Sequence, residues 1–285
     1  MARNPKNPKQ KLPQNLSDDD WPVKAYRNQN FIMSREGRAL RILSEFIEPE
    51  ARFEQEMVSD TVVFFGSARI SPRDVAQQEL DSATKHGGDI ERAKTNLDMS
   101  VYYEDARELS MRLTRWSKEL KGKSRRFVVC TGGGPGIMEA ANRGASEAKG
   151  LSIGLNISLP HEQSGNPYIS RELAFKFHYF FMRKFWFAYL AKAIIVFPGG
   201  FGTIDEFFEL MTLISTRKMG KKLPIVLYGS EYWNSIMNLD AMVKFGTISP
   251  ADLDLFYRAD SVDAAFDYIT SVLAEHHIKE PGGAL

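Results

Sequence analysis

The chain has 285 residues, 43% of them hydrophobic and 26% charged, with a formal net charge of +1. That balance describes a globular protein able to bury a sizeable core, and near-neutral charge with no basic stripe interleaved with aromatics argues against a nucleic-acid groove. A single cysteine, Cys130, excludes a disulfide framework within the chain and fits a reducing compartment.

Residues 1–22 are polar, with prolines at 5, 8, 13 and 22. They predict a disordered or loosely attached start without the apolar core of a signal peptide, and hence a cytoplasmic protein. Residues 35–58 read as helical, with Leu40, Leu43, Phe46 and Ile47 on one face. Pro49 is expected to split that stretch into two helices. Residues 1–60 therefore form an N-terminal extension, suited to a sheet edge or an oligomer interface, and residues 61–278 form the main domain. Residues 61–65 are the first core strand and end in Gly66-Ser67-Ala68-Arg69. Ser67 and Arg69 either help hold a phosphate or sugar, or belong to a plain turn with a solvated arginine. Residues 71–98 are polar and broken by Gly87-Gly88, which predicts an insertion with one or two short helices. Residues 99–120 predict an amphipathic helix whose stripe of Tyr102, Ala106, Leu109, Leu113 and Trp116 is core packing.

A short strand over 126–131 contains Cys130, read as a buried, inert thiol. It leads into Gly132-Gly133-Gly134-Pro135-Gly136 and then a helix over 137–149, with Met138, Ala141 and Ala145 on one face. A strand over 151–157 follows. The loop over 159–171 is long enough to close over a ligand, and His161 and Glu162 in it either contact substrate or are solvated. Residues 173–177 are a strand candidate. Residues 178–192 predict a helix with aromatics on most faces, which suggests a subunit interface. With His178, Arg183 and Lys184 this segment is too short and too charged to span a bilayer.

The apolar run 193–197 enters a second glycine turn, Pro198-Gly199-Gly200-Phe201-Gly202, and a helical pattern begins at Thr203. Strand, glycine turn and helix start direct backbone N–H groups and the positive helix end at an anion, and a phosphate fits best. Two such turns at the carboxyl ends of two strands imply one crevice with two phosphate-facing walls. Beyond it, 224–228 is a buried strand, 233–245 a helix, 255–258 an edge strand, 262–276 a closing amphipathic helix and 280–285 a mobile tail. Strands alternating with helices make the fold class α/β: a doubly wound, Rossmann-like parallel sheet with helices on both faces.

Several chemistries lack their equipment. A dinucleotide site needs an acidic residue about 20 positions after its glycines, and the next strand ends near Asn156 without one. No Walker Gly-Lys-Ser/Thr is present, and no His/Cys/Asp/Glu cluster has zinc spacing. Nothing singles out Lys184, Lys192 or Lys218 as a Schiff-base lysine.

Together, the two glycine turns and the residues before the second resemble the LOG family, the cytokinin riboside 5′-monophosphate phosphoribohydrolases, long mislabelled as lysine decarboxylases. Pro198 to Glu206 matches every fixed position of the family's PGGxGTxxE signature, Met182-Arg183-Lys184 matches its Arg-Lys pair, and the stretch from Gly132 to Met138 loosely matches its GGGxxGxM turn. The resemblance covers roughly residues 62–273. It implies a nucleoside 5′-monophosphate substrate, AMP or N6-substituted AMP, cleaved by water to free base and ribose 5-phosphate. No cofactor, metal, nucleic-acid partner or membrane partner is expected, and the aromatic helix predicts a homodimer or higher homo-oligomer. By the same resemblance Arg183 and Glu206 are the catalytic pair. Substrate and phosphate contacts then fall to Gly66, Ser67, Gly132, Gly133, Gly134, Gly136, Met138, Lys184, Pro198, Gly199, Gly200, Gly202, Thr203 and Thr212.

The chemistry is modest. Breaking an N-glycosidic bond builds positive charge on the ribose, which a carboxylate can stabilise while it orients hydroxyls or activates water. An arginine binds phosphate in a bidentate fork. Each residue also has a plainer reading. Thr203 and Glu206 have the spacing of a capping box, with Thr203 at the N-cap and Glu206 three residues in; Asp205 complements the helix dipole; and Arg183 is a solvated helix charge. At the level of function, an enzyme stands beside a non-catalytic nucleotide-binding module and a scaffold acting through the N-terminal extension. The presence of both Arg183 and Glu206 favours the enzyme.

Overall fold

The computed structural model describes residues 22–158, 165–279 and 281–283. The expectations for residues 1–21, for His161 and Glu162, and for residues 280, 284 and 285 lie outside that set.

The chain divides into a unit that ends at Glu48 and a unit that begins at Pro49. In the first, helix α1 (Gln29–Ile32) is capped by Asn28, whose side chain accepts from the Phe31 amide at 3.1 Å. Leu40, Leu43 and Ile47 are exposed. Helix α2 (Arg38–Gln55) runs through Pro49 unbroken, contrary to the expected split. Proline fixes a helix-compatible φ and removes only one N–H. The packing of Phe53 against Phe175 (4.9 Å between ring centroids) and Trp186 (5.4 Å) holds the turn beyond it.

The second unit carries the α/β fold. In chain order it contains β1 (Thr61–Phe65), α3 (Arg73–His86), α4 (Ile90–Met99), α5 (Val101–Glu119), β2 (Val128–Thr131), α6 (Ile137–Glu147), β3 (Ser152–Ile157) and β4 (Ala174–Phe177). Then come α7 (Phe180–Tyr189), β5 (Ala191–Val196), α8 (Phe201–Ser215), β6 (Ile225–Tyr228), α9 (Ser230–Ile236), α10 (Leu239–Lys244), β7 (Tyr257–Ala259) and α11 (Val262–His276). Among the described residues these strands form one seven-stranded sheet, all parallel, in the order β4-β3-β2-β1-β5-β6-β7.

β1 and both its neighbours are fully buried, and apart from Lys192 and the terminal Thr61 and Thr131 they are apolar, as a parallel sheet covered on both faces requires. Alternate residues serve opposite faces. Val62, Phe64, Val129, Ile195, Phe197 and Val226 pack with Ala106, Leu109 and Leu113 of α5, Ile137 and Ala141 of α6, and Ile269 and Leu273 of α11. On the other face Phe65 meets Phe187 of α7 edge-on at 4.9 Å. Cys130 is buried, and burial pushes its thiol well above the usual range, so it is inert at neutral pH.

Two further helices differ from the sequence reading, and the edge strand expected over 255–258 is Tyr257–Ala259. The aromatic helix expected over 178–192 ends at Tyr189, and Lys192 lies in β5, buried, with its ammonium 3.9 Å from Asp60. The helix expected over 233–245 is two helices, because the Asn238 side chain accepts from the Ala241 amide at 2.9 Å and starts α10 afresh. The insertion over 71–98 is two helices, α3 and α4, separated at Gly87 and Gly88.

Strand order reverses at β1: β2, β3 and β4 are laid outward on one side, and β5, β6 and β7 on the other. The carboxyl ends of β1 and β5 therefore flank the topological switch point, where open α/β sheets form their ligand crevice.

Candidate functional site

A cavity of about 740 Å³ opens at that switch point. Three loops floor it: Gly66-Ser67 after β1, Gly132 after β2, and residues 198–202 after β5. Backbone bonds lock them together. The Ser67 amide donates to the Pro198 carbonyl at 2.9 Å, and the Ile137 amide at the start of α6 donates to the Ser67 carbonyl at 3.0 Å. Tyr232 of α9 donates its hydroxyl hydrogen to the Gly199 carbonyl at 2.9 Å.

Two glycines are demanded by this packing. Gly136 sits at φ 72°, and a Cβ there would lie 2.2 Å from the Ser67 carbonyl oxygen. A Cβ at Gly199 would lie 2.1 Å from the Thr203 hydroxyl oxygen. Helices α6 and α8 both begin at the crevice, with Gly136 and Gly200 as N-caps and no side chain capping either. Apart from the Ile137 amide, which bonds Ser67, their first-turn N–H groups and positive dipole ends are thus left for a ligand.

The start of α8 overturns the capping-box reading. The helix begins at Phe201, so Thr203 is its third residue and Glu206 its sixth. Glycine serves at the N-cap, and the helix starts three residues earlier than the Thr-x-x-Glu spacing suggested. Glu206 is therefore not a cap but a buried carboxylate beside the crevice, with its side chain 8% exposed.

Arg183 faces it from α7. The Arg183 Nη2 lies 3.9 Å from one Glu206 oxygen and the Lys184 Nζ lies 3.8 Å from the other, both beyond hydrogen-bond reach. Burial pushes the Glu206 carboxyl up to about 7, opposed by the charges of Lys184 and Arg183 and assisted by those of Glu209 and Asp205. Burial also pulls the Arg183 guanidinium down from its usual value. That guanidinium lies over the rings of Phe180 and Phe187, at 5.1 and 5.6 Å, and its buried Nε has no hydrogen-bond partner among the described residues. It is not a solvated helix charge. Aromatic faces hold it in place while its donors stay available to an anion.

Lys184 is engaged differently. Its ammonium bonds Glu209 at 2.5 Å and Asp205 at 2.8 Å. Asp205 thus pairs with Lys184 rather than merely complementing the helix dipole.

The other sequence-expected residues divide by position. Gly66, Ser67, Gly132, Met138, Pro198, Gly199, Gly200, Gly202 and Thr203 line the crevice together with Arg183 and Glu206, and so does Arg69. Gly133, Gly134, Gly136, Lys184 and Thr212 are not on its wall. Gly133 and Gly134 form the back of the turn, where Asn166 donates its amide to the Gly133 carbonyl at 2.9 Å and its side chain to the Gly134 carbonyl at 3.0 Å. Thr212 is exposed on α8 and bonds the Phe208 carbonyl at 2.8 Å, one turn back in its own helix.

The sequence reading missed two groups. The first is a buried polar network: Thr131 donates to Asn142 at 2.7 Å, Asn166 donates to the same Asn142 oxygen at 2.9 Å, and Thr131 accepts from the Gly133 amide at 2.9 Å. It fixes the first glycine turn, and single polar residues in an apolar pattern gave no local signal. The second is an apolar wall of Ile70, Met99, Ile204, Tyr232 and Ile236. Ile70 and Met99 flank the insertion, Ile204 lies in α8, and Tyr232 and Ile236 come from α9, so all but Ile204 are distant in sequence from the second turn. Among the described residues no group of His, Cys, Asp and Glu could hold a metal ion, and no helix is long and apolar enough to cross a membrane.

A family model described as "Possible lysine decarboxylase" matches residues 138–269, a span that contains Met138, Arg183 and the whole of 198–206. The "Probable cytokinin riboside 5'-monophosphate phosphoribohydrolase LOG4" of Oryza sativa subsp. japonica is 27% identical over 158 residues, covering 55% of this chain and 67% of that protein. Among solved structures, a structural-genomics target, TM1055, is 22% identical with a TM-score of 0.46, covering 74% of this chain and 99% of its own. The Moco carrier protein from Chlamydomonas reinhardtii is 19% identical with a TM-score of 0.45, covering 76% and 99%.

Proposed function

We propose that the chain is a member of the LOG family, which it resembles over residues 138–269 and by its 27% identity to the Oryza sativa protein, and that it hydrolyses the N-glycosidic bond of a nucleoside 5′-monophosphate, AMP or an N6-substituted AMP, to free base and ribose 5-phosphate. The observation that carries this reading is the closeness of Arg183 and Glu206, 3.9 Å apart on the wall of a crevice at which two helices begin without a side-chain cap. The phosphate sits on the first-turn N–H groups of α8 and α6, and Arg183 supplies charge-assisted donors. The attached ribose then lies beside Glu206. As positive charge develops on the sugar, the Glu206 carboxylate stabilises it and takes a proton from the attacking water. The departing base faces the wall of Ile70, Met99, Ile204, Tyr232 and Ile236.

Lys184 acts at one remove. Held by Glu209 and Asp205, it contributes the largest charge that pulls the Glu206 carboxyl back from the full effect of burial. Without it burial would push the Glu206 carboxyl further up, leaving less of the carboxylate form at neutral pH.

Phe180 and Phe181, half exposed at the start of α7, support self-association next to this site. Light scattering at micromolar protein then reads a dimer or larger.

The reading is tested by incubating the protein with a panel of nucleoside 5′-monophosphates and their parent nucleosides and separating the products. Free base is expected from at least one purine monophosphate and not from its nucleoside. Tight nucleotide binding without base release from any member of the panel would instead favour a binding module.

A further inference from the structure

A second cavity, of about 490 Å³, opens at the opposite pole of the sheet, by the amino ends of β2 and β3. It is lined by the last turns of α5, the connection over 120–127, and the chain leaving α6 at Lys149, Gly150 and Leu151. Five cationic side chains line it, Lys118, Lys123, Arg125, Arg126 and Lys149, and no Asp or Glu does.

Three of the cations have structural work. Lys118 donates to the Ala148 and Lys149 carbonyls at 3.0 and 3.2 Å, where it satisfies the end of α6. Arg125 pairs with Glu56 at 2.8 Å, and Arg126 pairs with Asp60. Lys123 and Lys149 have no ion-pair partner among the described residues, and both are exposed at the cavity rim.

Two further observations point to a ligand. Thr114 is 6% exposed and lines the cavity, and its buried hydroxyl has no hydrogen-bond partner among the described residues. A polar group left in that state is unusual unless something else satisfies it. In addition, Met57, Phe127 and Lys149 adopt φ of 53°, 52° and 55°, and all three line this cavity; only Arg217 joins them among described non-glycine residues. Lys149 occupies the position after a helix where glycine is the least strained choice, so the chain keeps a charged side chain there at conformational cost. Backbone strain of this kind gathers where a site is being shaped.

We propose that this basin is a second anion-binding site, separate from the crevice, that takes a small phosphorylated molecule. Lys123 and Lys149 close on the phosphate from the rim, and Thr114 turns its enclosed, unsatisfied hydroxyl into the cavity to donate. The cavity is of small-molecule size, and its concavity favours a compact ligand over an extended polyanion. The site also borders elements that reach the crevice: β2 ends at the Gly132 turn and α6 begins at Gly136. Occupancy here is thus placed to bear on the first glycine turn.

The test uses hydrogen-exchange mass spectrometry on the full chain with inorganic pyrophosphate as the probe and sodium chloride at matched ionic strength as the control. Pyrophosphate is expected to protect peptides over 114–127 and chloride is not. The K123E/K149E variant is expected to lose that protection by at least about tenfold in probe concentration, as the loss of two charge-assisted contacts implies. Any change over 198–206 should be the same in both proteins. K123Q/K149Q should show the same loss in weaker form, and T114V should weaken protection several-fold at unchanged melting temperature. No protection over 114–127, equal protection by chloride, or protection that survives K123E/K149E would overturn the proposal.

Discussion

Arg183 and Glu206 approach to 3.9 Å from two different helices yet stop short of a hydrogen bond. One is supported by aromatic rings and the other is buried with a carboxyl pushed up to about 7. A pair whose only task was stability would close to a direct bond, because an uncompensated buried charge is expensive. The gap leaves donors on one side and a lone pair on the other for a third party.

The raised Glu206 carboxyl makes a stability prediction with a definite sign. Between its ordinary 4.5 and about 7 the folded protein binds more protons at this group than the unfolded chain does. Stability from this group is therefore fully present below 4.5 and is lost as pH rises through about 7. E206Q has no such slope. Its melting free energy should match wild type near pH 4.5 and exceed it by about 3 kcal/mol at pH 8. Denaturant titrations at the two pH values check this, and a difference that does not vary with pH would show that Glu206 is not a desolvated acid.

Catalysis should follow the opposite course. If the carboxylate is the working form, kcat/KM rises with pH through about 7 and then levels. K184M removes the largest charge that holds the carboxyl down, so the acid limb should move to higher pH with little loss at the plateau. A limb that stays in place would detach Lys184 from the tuning of Glu206.

Two glycines in the site should respond in opposite ways. At Gly136, with φ 72° and the Ser67 carbonyl 2.2 Å from an added Cβ, alanine is expected to destabilise the fold by at least about 1–3 kcal/mol, the range for a single strained residue. At Gly200 an added Cβ meets nothing within 4 Å, so alanine should leave stability nearly unchanged and act on ligand affinity, because that open space is where the phosphate approaches. Thermal melts and AMP titrations of G136A and G200A separate the two roles.

R183A tests what recognises the phosphate. Wild type should bind AMP far more tightly than adenosine, and the variant should lose at least about tenfold of that preference, the worth of one charge-assisted hydrogen bond. R183K should not restore it, since a point charge cannot reproduce the guanidinium fork. Equal loss of both affinities would mean that Arg183 only supports the fold.

The sheet was legible from the sequence because its strands are continuous apolar runs between glycine turns, and the strands over 61–65 and 224–228 need no partner to be recognised. The two glycine turns were legible for the same local reason. What failed was fine placement that depends on neighbours. Thr203 and Glu206 have capping-box spacing, but Gly200 takes the cap because Gly199 must pass against Thr203. Pro49 stays inside a helix because Phe53 is anchored beyond it. The apolar wall with Met99 and Tyr232 comes from segments more than 100 positions apart, and nothing local marks them as neighbours. Lys184 was placed among the phosphate contacts by its position next to Arg183, yet successive helix residues point different ways, and it turns to Asp205 and Glu209 instead.

The most direct test of the account is the rate of base release from AMP, or from whichever monophosphate the wild-type protein cleaves best, by E206Q. Glutamine keeps the volume, and since Glu206 caps nothing, the substitution should leave fold and phosphate cradle in place. The account predicts a fall in kcat of at least about 10², the lower end of what a general base contributes, with nucleotide affinity nearly unchanged. Turnover by E206Q at the wild-type rate would contradict it and remove Glu206 from the chemistry.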